Sequence, residues 1–318
     1  MDSRRWLFFL TAIVLLFLAK AYVAGQFQHP IIFKDECIYG LRHAGVMDIS
    51  AYSIIPALFG RTGGILFNCF ITSACIIPLF YLFRKHKGER EAALLAAITS
   101  FFSPLWVYAT VNMTDGSFLF LVLLGALALE WCWATVFIKP LGLALPLAYM
   151  KEKGVYVALV AGIGVAVLNP VFHGFDNAAL GLIRNVVYVI LGSLTLALIP
   201  FKRINDGEGD RQDEFFVWYC LCTFALLATF IVLLPANGMN GRYFDGCVLL
   251  ALTFAGKPFK KSREFTIVLI VLGFAALLFF ALMPPNFYSG ILDSALVPVW
   301  DATRSILYAA TNPTLRNC

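Results

Sequence analysis

Uninterrupted apolar runs recur along this sequence, each about as long as a lipid bilayer is thick. A membrane-crossing helix needs about 20 predominantly apolar residues. Lipid offers the backbone no hydrogen bonds, so only helices or closed barrels can cross it. The runs here are continuous rather than alternating, which argues against a barrel. With 60% hydrophobic and 14% charged residues, the chain is also too apolar for a soluble domain, typically about half apolar and a quarter charged. The expected fold is all-α, a single polytopic transmembrane helical bundle over residues 1–318 with about nine to eleven membrane segments.

Cations mark the sides of the membrane, because short cytoplasmic loops are enriched in Lys and Arg. Arg4 and Arg5 precede the first span, about Trp6 to Val23, and place the N-terminus in the cytoplasm. A basic start before an apolar run also suits a signal peptide, but this run is too long and lacks a convincing small-residue cleavage site. Residues 26–59 form the first external loop, ending in a short interfacial helix at Ala51 to Phe59. Gly60 to Gly64 turn the chain into a second span, Ile65 to Phe83, followed by the internal cations Arg84, Lys85, Lys87 and Arg90. A third span is expected at Ala92 to Ala109 and a fourth from about Ser117. From Glu130 to Met150 the sequence is too short for two full crossings and reads as a re-entrant pair of short helices with Lys139-Pro140 at its tip. Later spans are expected at Val155 to Leu168, Ala179 to Ile199, Phe215 to Leu234, Cys247 to Ala255 and Phe265 to Met283, with a polar internal loop from Lys202 to Glu214.

The net charge of +5 is explained by this asymmetry and does not suggest a nucleic-acid partner. Of the eight cysteines, Cys69, Cys75, Cys132, Cys220 and Cys222 fall inside apolar segments and read as buried small hydrophobes. Only Cys37 and Cys318 are placed outside, where a bridge between them is one option. His29 and His43 lack metal-ligand spacing, and no zinc site is expected.

The ionisable residues that remain gather on the outer face. Leaving aside the C-terminal tail, the acids are Asp35, Glu36, Asp48, Asp115, Asp176 and Asp245, and the bases near that boundary are Lys20, Arg61, Lys139, Arg184 and Arg242. Carboxylates with isolated cations at headgroup level suit transfer from a lipid-linked phosphosugar. One carboxylate takes the proton of the acceptor hydroxyl or amine, and cations hold the lipid phosphate as it leaves. Asp35, in an external loop next to Glu36, is the candidate catalytic base.

The stretch Asp35-Glu36-Cys37-Ile38-Tyr39 resembles the DExxY signature in the first external loop of GT-C glycosyltransferases. The segment Arg84 to Leu129 is similar to their third and fourth spans, with a basic loop, a small-residue-rich helix, a Ser-Pro, and then Thr114-Asp115. Ile138 to Leu147 resembles their short paired helices around a Lys or Arg, and Gly241 to Leu252 their late Arg-Tyr segment. The likeness covers residues 1–150 well and the rest loosely. It is nearest to the branch using polyprenyl-phosphate sugars, such as the lipid A aminoarabinose and protein O-mannosyl transferases. Members of that branch are commonly longer, so a short form without a C-terminal soluble domain is expected.

The resemblance implies Asp35 as general base, Glu36 beside it orienting acceptor or metal, and Asp115 as the second-loop acid. It implies Lys139 and Arg242 as contacts to the donor phosphate, with Tyr243 packing or hydrogen-bonding nearby, and inversion at the sugar carbon. Arg184, about one turn inside a span, reads either as another phosphate contact or as a snorkelling side chain. Asp115 reads equally as a helix cap, and Lys139 as a snorkelling Lys. Lys20, Arg61, His173 and Asp176 read mostly as loop or interface residues. No cofactor is expected, although Asp35, Glu36 and Asp115 could hold a divalent cation through oxygen.

The expected partners are a polyprenyl-phosphate-linked sugar, an acceptor lipid, glycan or protein, and the membrane lipids. The active face is external, periplasmic or luminal. Two other readings compete: a lipid or solute transporter or flippase, which would place ionisable groups near the midplane and show repeats, and a non-catalytic membrane subunit of a glycosylation complex.

Overall fold

The computed structural model describes residues 3–26, 51–109, 112–168, 186, 189–233 and 241–254. These residues are all-α and contain no strand. Among the described residues two helical stretches are long and apolar enough to cross a membrane, Trp6–Gly25 and Leu58–Arg84. The chain divides into two compact units with the boundary after Leu123.

The first unit begins with α1 (Ser3–Gln26), which contains the expected first span. A 3-10 turn at Ala51–Ser53 leads into α2 (Ile54–Ala74). Gly60 breaks α2 with φ 70° and ψ −177°, a left-handed backbone that favours glycine. The short helix before Gly60 is thus set off from the span after it, as the sequence suggests. The expected turn is one residue long rather than five, because Arg61 to Gly64 already belong to the helix. After Cys75, α3 (Ile76–Arg84) continues the span. Phe9 of α1 meets Phe80 of α3 edge to face, with centroids 5.0 Å apart.

The expected third span is interrupted. Helix α4 (Glu89–Thr99) ends, Phe102 is non-helical with ψ 125°, and the five-residue α5 (Ser103–Val107) restarts the chain. Pro104 is the cause: in a continuous helix its ring would collide with the carbonyl of Ser100, four residues earlier. Helix α6 (Asp115–Leu127) follows.

In the second unit, α7 (Ala134–Ile138) and α8 (Ala144–Tyr149) are the expected short pair. Lys139 between them is extended at φ −155°, ψ 136°, the conformation favoured by a following proline. A 3-10 turn at Pro140–Leu143 closes the connection. The Thr135 hydroxyl donates across it to the Gly142 carbonyl at 2.8 Å.

Helix α9 (Glu152–Leu168) packs along α11 (Arg211–Leu233). A Cβ at Gly162 would stand 2.8 Å from the Leu226 carbonyl, so a small residue permits this close approach. Helix α10 (Thr195–Asn205) follows a π-helical turn at Ile190–Leu194 and runs past Pro200, beyond the expected end at Ile199.

The polar loop after α10 is therefore shorter than the expected 202–214, since two caps define it. Glu208 N–H donates to the Arg203 carbonyl and Gly207 N–H to that of Ile204, with Gly207 at φ 73°, a Schellman end. Asp210 accepts from the Asp213 amide and Asp213 accepts from the Asp210 amide, both at 2.9 Å, a reciprocal capping box opening α11. Arg203 Nε reaches the buried Asp213 carboxylate at 3.3 Å. Helix α12 (Asp245–Phe254) packs on α11 through Phe254 and Phe216, centroids 4.8 Å apart.

Candidate functional site

In the first unit, polar chemistry concentrates where α6 begins. Asp115 is the first residue of that helix and is only 2% exposed. The Phe118 amide donates to the Thr114 carbonyl, so Thr114 holds the cap position and Asp115 the first turn. A carboxylate there faces the positive end of the helix dipole.

The segment leading to Asp115 is seated on one face of α2. Gly64, Asn68 and Thr72 recur at intervals of four along that helix and share a face. The Asn68 amide donates to the Met113 carbonyl at 2.8 Å and to the Tyr52 hydroxyl at 3.0 Å. That hydroxyl in turn reaches Asn112 Oδ1 at 2.7 Å and the Gly64 carbonyl at 3.2 Å. Asn112 lies so close that a Cβ at Gly64 would overlap its side-chain oxygen. Gly116 also lies close to Thr72, whose methyl would be 2.9 Å from a Cβ there. Tyr52, Asn68, Thr72, Asn112 and Thr114 are all buried, and buried polar groups of this kind define one arrangement when bonded to each other.

Lys20 belongs to the same unit, where its side chain meets protein. It is fully buried, donates to the Thr72 hydroxyl at 3.1 Å, and lies 5.5 Å from the Trp106 ring centroid.

In the second unit, Lys139 and Tyr243 come together from distant parts of the chain. The ammonium stands 5.2 Å from the phenol ring centroid, a cation–π distance. Both side chains are half-buried. The proline-imposed break before Pro140 presents Lys139. Tyr243 is presented by a 3-10 turn, Gly241–Phe244. That turn is anchored by Phe244, whose ring fills the space a side chain at Gly192 would occupy. The buried Asp245 follows at the start of α12.

The structure thus brings Lys139 to Tyr243 and buries Asp115. The backbone of Arg242 is part of the same turn as Tyr243, while its side chain lies outside the described residues, as do Asp35, Glu36 and Arg184. Of the three carboxylates considered for a divalent cation, Asp115 alone is described. Among the described residues no group of three His, Cys, Asp or Glu side chains is placed to hold a metal. Cys69, Cys75, Cys132, Cys220, Cys222 and Cys247 are buried with free thiols.

Sequence reasoning missed Tyr52, Asn68 and Thr72. A signal for two of them was present: polar residues four apart on an otherwise apolar span mark a face that meets protein rather than lipid. No family model, curated protein or solved structure matches the chain.

Proposed function

We propose that this chain is a membrane-embedded inverting glycosyltransferase of the GT-C type, moving a sugar from a polyprenyl-phosphate donor to an acceptor on the outer face of the membrane. In this reading it is a polytopic bundle of about nine to eleven segments with a cytoplasmic N-terminus. The observation that carries the reading is the meeting of Lys139 with Tyr243. The resemblance assigns both residues to the donor phosphate, and no local feature of either stretch requires them to be neighbours.

The chemistry follows from the assigned residues. Asp35 takes the proton from the acceptor hydroxyl or amine as that atom attacks the anomeric carbon. The bond from that carbon to the phosphate oxygen breaks on the opposite side, and the configuration inverts. Charge builds on the leaving polyprenyl phosphate, where the Lys139 ammonium is a compact counter-charge. Arg242 adds a planar donor pair suited to phosphate, and the Tyr243 phenol supplies an apolar flank with a polar tip. Glu36 beside Asp35 orients the acceptor, and Asp115, buried at the start of α6, is the second-loop acid.

The experiment is mass spectrometry of glycans and glycolipids from membranes with and without the chain, alongside an Asp35→Asn variant at matched abundance. A product that disappears in both the deletion and the variant is expected. Wild-type product levels with Asp35→Asn would remove Asp35 from the mechanism. Movement of labelled lipid across liposomes with no sugar transfer would favour a flippase.

A further inference from the structure

Helix α1 turns most of its apolar residues outward, including Trp6, Leu7, Leu10, Leu15 and Leu18. Among its described side chains Phe9 and Lys20 are the two that are fully buried. They lie eleven residues apart, about three helical turns, and so share a face. Lys20 is therefore directed into the unit. Its ammonium has three N–H donors. Thr72 Oγ1 accepts one at 3.1 Å, while the Thr72 hydroxyl spends its own proton on the Asn68 carbonyl at 2.7 Å. The Trp106 ring lies 5.5 Å away. Among the described residues no carboxylate is within ion-pair distance of Lys20.

A buried ammonium costs several kcal/mol unless an anion accompanies it. A hydroxyl and an indole face offset only part of that, since a desolvated cation–π contact contributes about 2 kcal/mol. Among the described residues the ammonium is thus short of a counter-charge, and of Thr72 and Trp106 it is Trp106 that is only half-buried. Trp106 is half-buried, its Nε1 donates to the Ser100 carbonyl at 3.1 Å, and its ring stacks at 5.6 Å on the exposed Phe101. It sits in the five-residue α5, set off by Pro104 from the helix before it. Indole rings favour the headgroup level of a bilayer, where lipid phosphates also lie.

We propose that Lys20 and Thr72 form an anion subsite for the phosphate group of a membrane lipid, entered by displacement of the Trp106 ring. The phosphate makes a charge-assisted bond to the Lys20 ammonium and accepts from the Thr72 hydroxyl after it releases the Asn68 carbonyl. This goes beyond the transferase reading, because a phosphate subsite in the first unit stands whether or not a sugar is transferred.

The test is equilibrium binding to the full chain in maltoside micelles, with farnesyl phosphate as probe and farnesol as the phosphate-free control. Lys139→Met is the background, so that phosphate held at that residue is not counted. Lys20→Met is expected to weaken farnesyl phosphate binding by about tenfold or more, with farnesol unaffected and Lys20→Arg close to the parent. Equal affinity in Lys20→Met and parent, or farnesol binding as tightly as its phosphate, would overturn the proposal. If Lys20→Met does not fold, Thr72→Val keeps the shape without the hydroxyl; a loss of about threefold is expected, and no loss overturns the proposal. Phosphatidylglycerol and inorganic phosphate as competitors separate the sources. Competition by the lipid supports the subsite as stated. Competition by inorganic phosphate alone, without the lipid, overturns the lipid assignment.

Discussion

Replacing Gly64 by alanine tests the seat of the Asp115 segment with a sign as well as a size. In an exposed helix interior, glycine to alanine stabilises by up to about 1 kcal/mol. At Gly64 the added Cβ would overlap Asn112 Oδ1 and stand 3.1 Å from the Tyr52 hydroxyl. Those two groups are bonded to each other at 2.7 Å, so neither can retreat without stretching that bond. Overpacking of a buried site costs about 1–3 kcal/mol, and a weakened buried hydrogen bond adds about 1 kcal/mol. Set against the helix-propensity gain, the net expectation is a loss of about 1–3 kcal/mol. Gly164 in α9 is the control: it is exposed, and a Cβ there meets nothing within 4 Å. Gly164→Ala is expected to be neutral or to stabilise by up to about 1 kcal/mol. Both variants would be unfolded in mixed micelles with rising dodecyl sulfate and followed by circular dichroism. A Gly64→Ala protein as stable as the parent would refute the close seating of residues 112–116 on α2.

Other perturbations probe the second unit. Asp213→Asn removes the carboxylate that Arg203 meets in a buried setting and should cost about 3 kcal/mol in the same unfolding assay; Asp210→Ala, which removes a helix cap, should cost about 1 kcal/mol. Pro140→Ala frees Lys139 from its extended backbone. Some molecules then continue α7 through Lys139, and donor-lipid affinity should fall by roughly two- to tenfold, in proportion to the competent population lost. Tyr243→Leu removes the ring under the ammonium. It should raise KM for the donor by about two- to fivefold with little change in kcat, the equivalent of about 0.5–1 kcal/mol of cation–π contact.

Much of the architecture was legible in the sequence where the cause was local. The helical class, the first span, the break at Gly60 and the short pair around Lys139-Pro140 each follow from run length or from one residue's backbone limits. The same rule applied to Pro104 would have broken the third span; the apolar run through Ala92 to Ala109 concealed it. The loop between α10 and α11 was drawn too long because its charged residues are capping groups and an ion pair rather than solvated loop.

The amino-acid order alone determined that this chain builds helices, that the first of them is apolar enough to cross a membrane, and where two of its turns fall. Only the tertiary structure decided that Asp115 is buried, that Lys20 points inward to Thr72, and that Lys139 finds Tyr243. The reason is physical. In a water-soluble helix the polar stripe marks the outside, but helices that are apolar on every side carry little contrast between the face that meets lipid and the face that meets protein. Which side chains converge is then settled by how small residues such as Gly64 and Gly162 let helices approach.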